Sequence, residues 1–166
     1  MILGMSASTY TLFHVLLSVV GIGSGVMVMY GFLTRKRLNG WTALFLTSTV
    51  ATSVTGFGFP FDHLLPSHKV GIVSLVALGF AIIGRYIFRL AGAWRGIYVI
   101  SSAVALYLNV FVGVVQAFLK VPALNAIAPN QTEPPFLLTQ LVVVTVFGVL
   151  AILAATTFRN DSVGMA

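Results

Sequence analysis

Apolar residues run in five long blocks along this chain, at approximately 10–33, 42–61, 70–88, 97–119 and 136–158, with short polar or proline-rich joins between them. About 20 apolar residues are enough for a helix to cross roughly 30 Å of hydrocarbon, so each block predicts a membrane span. Within the blocks, small and polar residues recur in steps of three or four, the helical period. The fourth block shows this best, with Tyr98, Ser102, Ala105, Asn109, Gly113, Gln116 and Lys120 on one predicted face. Tyr10, His14, Gly21 and Gly25 form a stripe in the first block, and Thr42, Thr49, Ser53 and Gly56 one in the second. Gly71, Ser74, Ala81 and Arg85 do so in the third, and Gln140, Gly148, Ala151 and Ala155 in the fifth.

The pattern predicts an all-α integral membrane protein, a bundle of five transmembrane helices forming one domain over 1–166. Its outer loops fall at 62–69 and 120–135. The opening "MILGMSASTYTLF" has no basic n-region and "RKR" follows its long apolar run, so it reads as a retained first span. In the second outer loop, "PALNAIAP" is apolar between prolines and reads as a short interfacial helix or a lid over the bundle mouth.

Composition points the same way. Of 166 residues 58% are hydrophobic and 7% charged, against roughly 25% charged in a soluble domain. Such a chain cannot cover a water-facing surface, and its first partner is the lipid bilayer. The net charge of +6 does not indicate nucleic acid, because the basic residues sit at the ends of apolar blocks. Arg35, Lys36, Arg37, Arg85, Arg89, Arg95 and Arg159 fall on one side of a five-span chain, leaving Lys69 and Lys120 on the other. The positive-inside rule then puts the N-terminus outside and the C-terminus in the cytoplasm, as expected for a bacterial inner (plasma) membrane protein. Trp41 and Trp94 sit beside the basic clusters, as an aromatic belt requires. The absence of cysteine excludes disulfides, thiolate metal sites, cysteine-attached haem and cysteine nucleophiles.

The scarce ionisable residues gather at the outer end. All six prolines lie there, as do His14, His63, His68, Asp62 and Glu133. His14, Gln116 and Gln140 are expected at similar depth below the hairpin "GFGFPFDHLLPSHKVG", with Asn109 deeper in the fourth span. Three ligand chemistries fit this tier. A transition metal (Cu, Zn or Fe) would take ligands from His14, Asp62, His63, His68 and Glu133. A b-type haem would be held by His14 with His63 or His68, in a slot lined by Phe13, Phe57, Phe59 and Phe61. A quinone or lipid-like molecule would set its carbonyl or hydroxyl against His14, Asn109, Gln116 or Gln140.

Ordinary structural roles compete with each of these. Gly21 and Gly25 are close-packing residues, Asn109 is a candidate interhelical bond, and Ser67 is placed to cap the third helix with His68 in its first turn. Glu133 reads more readily as an exposed loop acid. No acid lies within spans one, three, four or five, which disfavours ion-coupled transport. No nucleophile elbow indicates a hydrolase. The outer hairpin and "QAFLKVPALNAIAPNQTEPPFLLTQ" resemble segments of small multi-span bacterial membrane proteins, a likeness that implies no activity. The expected function is ligand binding in a redox role through an outward-facing, histidine-centred pocket. The alternative is a non-catalytic accessory or assembly subunit, in a homo-oligomer or a larger membrane complex.

Overall fold

The computed structural model describes residues 4–59 and 66–158. Among them are helices α1 (Ala7–Leu33), α2 (Asn39–Gly56), α3 (Pro66–Ile82), α4 (Trp94–Lys120), α5 (Pro122–Ile127) and α6 (Pro134–Thr157), and no strand. A π-helical turn, Ile83–Ile87, continues α3. A long helix occupies each of the five apolar blocks. Four segments, Ala7–Leu33, Ser67–Ile87, Trp94–Lys120 and Pro134–Thr157, are long and apolar enough to cross a membrane. The chain is that of an integral membrane protein.

The remaining long helix, α2, is the most polar. Seven of its 18 residues are Ser or Thr, and several of their hydroxyls bond back to their own backbone. Ser48 Oγ donates to the Leu44 carbonyl at 2.7 Å, Thr52 Oγ1 to Ser48 at 2.9 Å and Thr55 Oγ1 to Ala51 at 2.7 Å. This back-bonding lets hydroxyls sit in apolar surroundings without stranding a donor.

Helices α1, α2, α3 and α4 form a closed ring of neighbours, and α6 packs outside it on α1 and α4. The ring closes through small residues. A methyl group on Gly25 would stand 2.5 Å from Leu106 Cδ1 and 2.9 Å from the Phe45 ring, so only glycine lets α1 approach α2 and α4 there. Around that contact the core contains Val28, Met29, Phe32, Phe45, Leu46, Leu78, Ala81, Tyr98, Val99 and Leu106. α6 buries only Phe136 and Ala154, leaving Leu138, Leu141, Val142 and Ile152 among its exposed side chains. In a membrane protein that surface faces lipid.

The turns have local causes. Ser6 caps α1 by accepting from the Thr9 amide at 3.1 Å. α3 starts at Pro66, so Ser67 lies inside the helix rather than at its cap, a correction to the sequence expectation. Proline suits a first helical position because it has no amide hydrogen to leave unpaired. "PALNAIAP" does form a short helix, α5. It folds against the end of α4, where Asn125 Nδ2 donates to the Phe118 carbonyl at 3.2 Å and Gln131 Nε2 to Val115 at 3.0 Å. Phe118, Ala128 and Phe136 close a small second core there.

Candidate functional site

Between the helices of the ring lies a partly open cavity of about 90 Å³. Each helix contributes polar side chains to it: His14 and Ser18 from α1, Thr49, Thr52 and Ser53 from α2, His68 and Ser74 from α3, and Asn109 from α4. That is a large share of hydroxyl, amide and imidazole groups for the interior of a membrane bundle, where an unsatisfied polar group is costly.

His14 is half-buried, and its ring stands edge-on to Phe59 at 5.3 Å. Its Nδ1 lies 2.9 Å from Thr55 Oγ1. The Thr55 hydroxyl has one hydrogen, and it donates that to the Ala51 carbonyl. His14 must therefore donate from Nδ1–H to Thr55, which fixes the tautomer and leaves Nε2 as an acceptor. The Thr55 backbone is held as well, since its carbonyl accepts from Tyr10 Oη at 2.7 Å.

Asn109 is 7% exposed, and Ser18 occupies both ends of its amide. Ser18 Oγ donates to Asn109 Oδ1 at 2.6 Å, while Asn109 Nδ2 donates to the Ser18 carbonyl at 3.4 Å. One Nδ2 hydrogen remains beyond this pair. Gly21 makes room for the arrangement: a methyl group there would stand 2.8 Å from Asn109 Nδ2 and 2.9 Å from Thr49 Oγ1. The Thr49 hydroxyl is buried, lines the cavity and has no hydrogen-bond partner among the described residues. Across the cavity His68, 4% exposed, stacks on Phe57 with ring centroids 5.4 Å apart.

The structure thus brings His14, His68 and Asn109 to one cavity and places Gln116, Gln140 and Glu133 away from its lining. Gln116 is exposed on α4. Gln140 bonds from Nε2 to the Phe111 carbonyl at 3.2 Å, and its buried Oε1 has no partner among the described residues. Glu133 ties a turn away from the cavity: one carboxylate oxygen accepts from the Asn130 amide and side chain, the other from the Thr132 amide. Asp62, His63 and Phe61 lie outside the described residues. Of the aromatics expected to line a haem slot, Phe13 is exposed, while Phe57 and Phe59 pack on His68 and His14. No residue of α5 lines the cavity, so that helix is no lid over it.

Ser18, Thr52 and Ser74 join the site without having been singled out as site residues. Ser18 sits four residues after His14 and three before Gly21, on the same helical stripe, and that spacing was the available signal. Among the described residues no three His, Cys, Asp or Glu side chains converge as a metal set would. Compared with protein-family models, with curated proteins and with solved structures, the chain matches none.

Proposed function

We propose that this is a bacterial inner-membrane protein that binds the polar head of a quinone or similar lipid-like molecule in the His14–Asn109 cavity, in a redox role. One observation carries the reading: a polar cavity in a membrane bundle offers the His14 imidazole and, at Thr49, a hydroxyl with no partner among the described residues. Such a site suits a ligand with carbonyl or hydroxyl groups, since small-molecule pockets are mostly apolar with a few placed polar groups. At about 90 Å³, the cavity has room for several waters or one ring-sized group. A haem needs far more, because sites for drug-sized ligands run from roughly 300 Å³. A divalent cation would find no carboxylate among the described lining residues.

His14 would accept the hydroxyl proton of a reduced ligand at Nε2, and Asn109 and Thr49 would orient the ring. In this reading α2 also crosses the membrane, giving five spans. The N-terminus and the cavity's nearer end are then extracytoplasmic, so a proton on His14 has a short way out. The test is equilibrium dialysis of a short-chain quinone against the purified full chain. The account predicts saturable binding, weakened at least tenfold by His14→Ala. Equal binding by both proteins would overturn it. The accessory-subunit reading draws on α6, whose uncovered apolar face suits a neighbouring subunit as well as lipid.

A further inference from the structure

At the other end of α2 from the histidine cavity lies a second cleft, of about 460 Å³, lined by Arg37, Asn39, Arg85, Tyr86, Arg89 and Leu90. Its three arginines come from three separate places: the α1–α2 join, the π-helical turn and the turn that follows. No carboxylate stands among the described lining residues. Guanidiniums sharing one cleft repel one another unless counter-charge enters it.

Arg85 is the best held of the three. Its Nη2 donates to Asn39 Oδ1 at 2.6 Å and its Nη1 to Tyr98 Oη at 3.2 Å. The guanidinium also stands over the Tyr98 ring at 5.3 Å and the Tyr86 ring at 5.7 Å. It leaves the helix from the π-helical turn, whose wide ring is closed by the Phe88 amide on the Ile83 carbonyl at 3.0 Å. Single π turns within helices often mark functional positions. Beyond it, Arg89 and Leu90 hold positive φ angles of 48° and 64°, a sparsely populated region for residues other than glycine. Arg37 and Arg89 have no hydrogen-bond or ionic partner among the described residues.

We propose that this cleft binds a phosphate group, with Arg85 as the fixed anchor and Arg37 and Arg89 as the mobile arms. Arginine rather than lysine suits the role, because its planar fork matches phosphate oxygens two at a time. The phosphate can belong to an anionic phospholipid headgroup at the membrane surface, where basic pockets between helices bind such heads, or to a free phosphate. The inference is independent of the ligand in the histidine cavity.

The full chain, purified in mild detergent, is loaded with phosphatidylglycerol or phosphatidylcholine, and retained lipid is counted by native mass spectrometry; inorganic phosphate is titrated separately. A headgroup site predicts at least tenfold more phosphatidylglycerol than phosphatidylcholine retained, falling to the phosphatidylcholine level in an Arg37→Gln/Arg89→Gln variant. A free-phosphate site instead predicts saturable phosphate binding lost in the same variant, without lipid preference. Arg85→Lys keeps the charge and loses the fork; it should lower either signal several-fold, and it is the readout if the double variant fails to accumulate. Equal retention of the two lipids with no phosphate binding would overturn the proposal. So would signals unchanged in these variants, which would reduce the arginines to orienting charge.

Discussion

Asn109 and Gly21 meet across the α1–α4 contact, and neither position can be understood without the other. The amide fits because glycine leaves free the space it occupies: a methyl group at Gly21 would stand only 2.8 Å from Asn109 Nδ2. Gly25, one turn further along, is tighter still because its neighbours are the bulky Leu106 and Phe45 side chains. Gly25→Ala should therefore destabilise the bundle by about 1–3 kcal/mol, the usual cost of overpacking. Gly23→Ala, where nothing lies within 4 Å, should be neutral or slightly stabilising. Thermal unfolding of the two variants in one detergent checks this, and equal melting points would refute the packing account. His14 and Asn109 were legible in the sequence because a polar side chain inside an apolar run needs a partner. Thr49 also stood on a predicted stripe. Ser18 stood on the stripe of His14 and Gly21, but Thr52 and Thr55 could not be told from their neighbours, since a hydroxyl in a membrane helix can satisfy itself on its own backbone, as Thr55 does on Ala51.

Helix positions were readable from hydrophobic length, but the ends of the helices were set by chemistry that runs of apolar residues do not show. α4 begins at Trp94, earlier than the apolar block suggests, where Phe88 stacks on the indole at 4.0 Å. The segment between α4 and α6 folds as α5 plus a turn because Asn125, Gln131 and Glu133 each find backbone or side-chain partners. The largest single influence on Glu133 is desolvation, which opposes its charge. Hydrogen bonds from its own amide, the Asn130 and Thr132 amides and the Asn130 side chain outweigh it, holding its pKa below the ordinary glutamate value of 4.5. A carboxyl whose folded pKa is depressed contributes stability above its unfolded pKa and loses it as the pH falls through the folded one. The turn at 128–133 should therefore exchange its amides slowly at neutral pH and faster only below about pH 4.5, and Glu133→Gln should exchange fast throughout. A turn whose exchange, corrected for intrinsic pH dependence, stays constant from about pH 7 to about pH 3 would contradict this.

At the scale of the whole molecule, the ring of α1 to α4 places a polar cavity towards one end and an arginine cleft at the other, with α6 as an outer, lipid-facing element. The segregation of basic residues along the chain anticipated two chemically distinct ends. Convergence on one cavity was not readable, because it depends on which helices are neighbours and which way their side chains face: Gln116 is exposed on α4, and Gln140 belongs to α6, outside the ring. The five-span reading turns on α2, the helix richest in hydroxyls. Because the chain has no cysteine, single cysteines at Lys36 and Lys69 can report its path. Five spans predict that a membrane-impermeant maleimide labels position 69 from outside the cell and position 36 only after permeabilisation; labelling of both from one side would mean that α2 does not cross. The central claim, a ligand held by His14 and Asn109, is met most directly by identifying what the protein carries when purified in mild detergent with nothing added, by mass spectrometry of an organic extract and elemental analysis for iron, copper and zinc per chain. The account predicts a quinone or similar lipid-like molecule near one per chain, metal far below one, and loss of the molecule in both His14→Ala and Asn109→Leu. An extract free of such a molecule, or one retained unchanged in both variants, would contradict it and leave the cavity a hydrated packing feature of an accessory subunit.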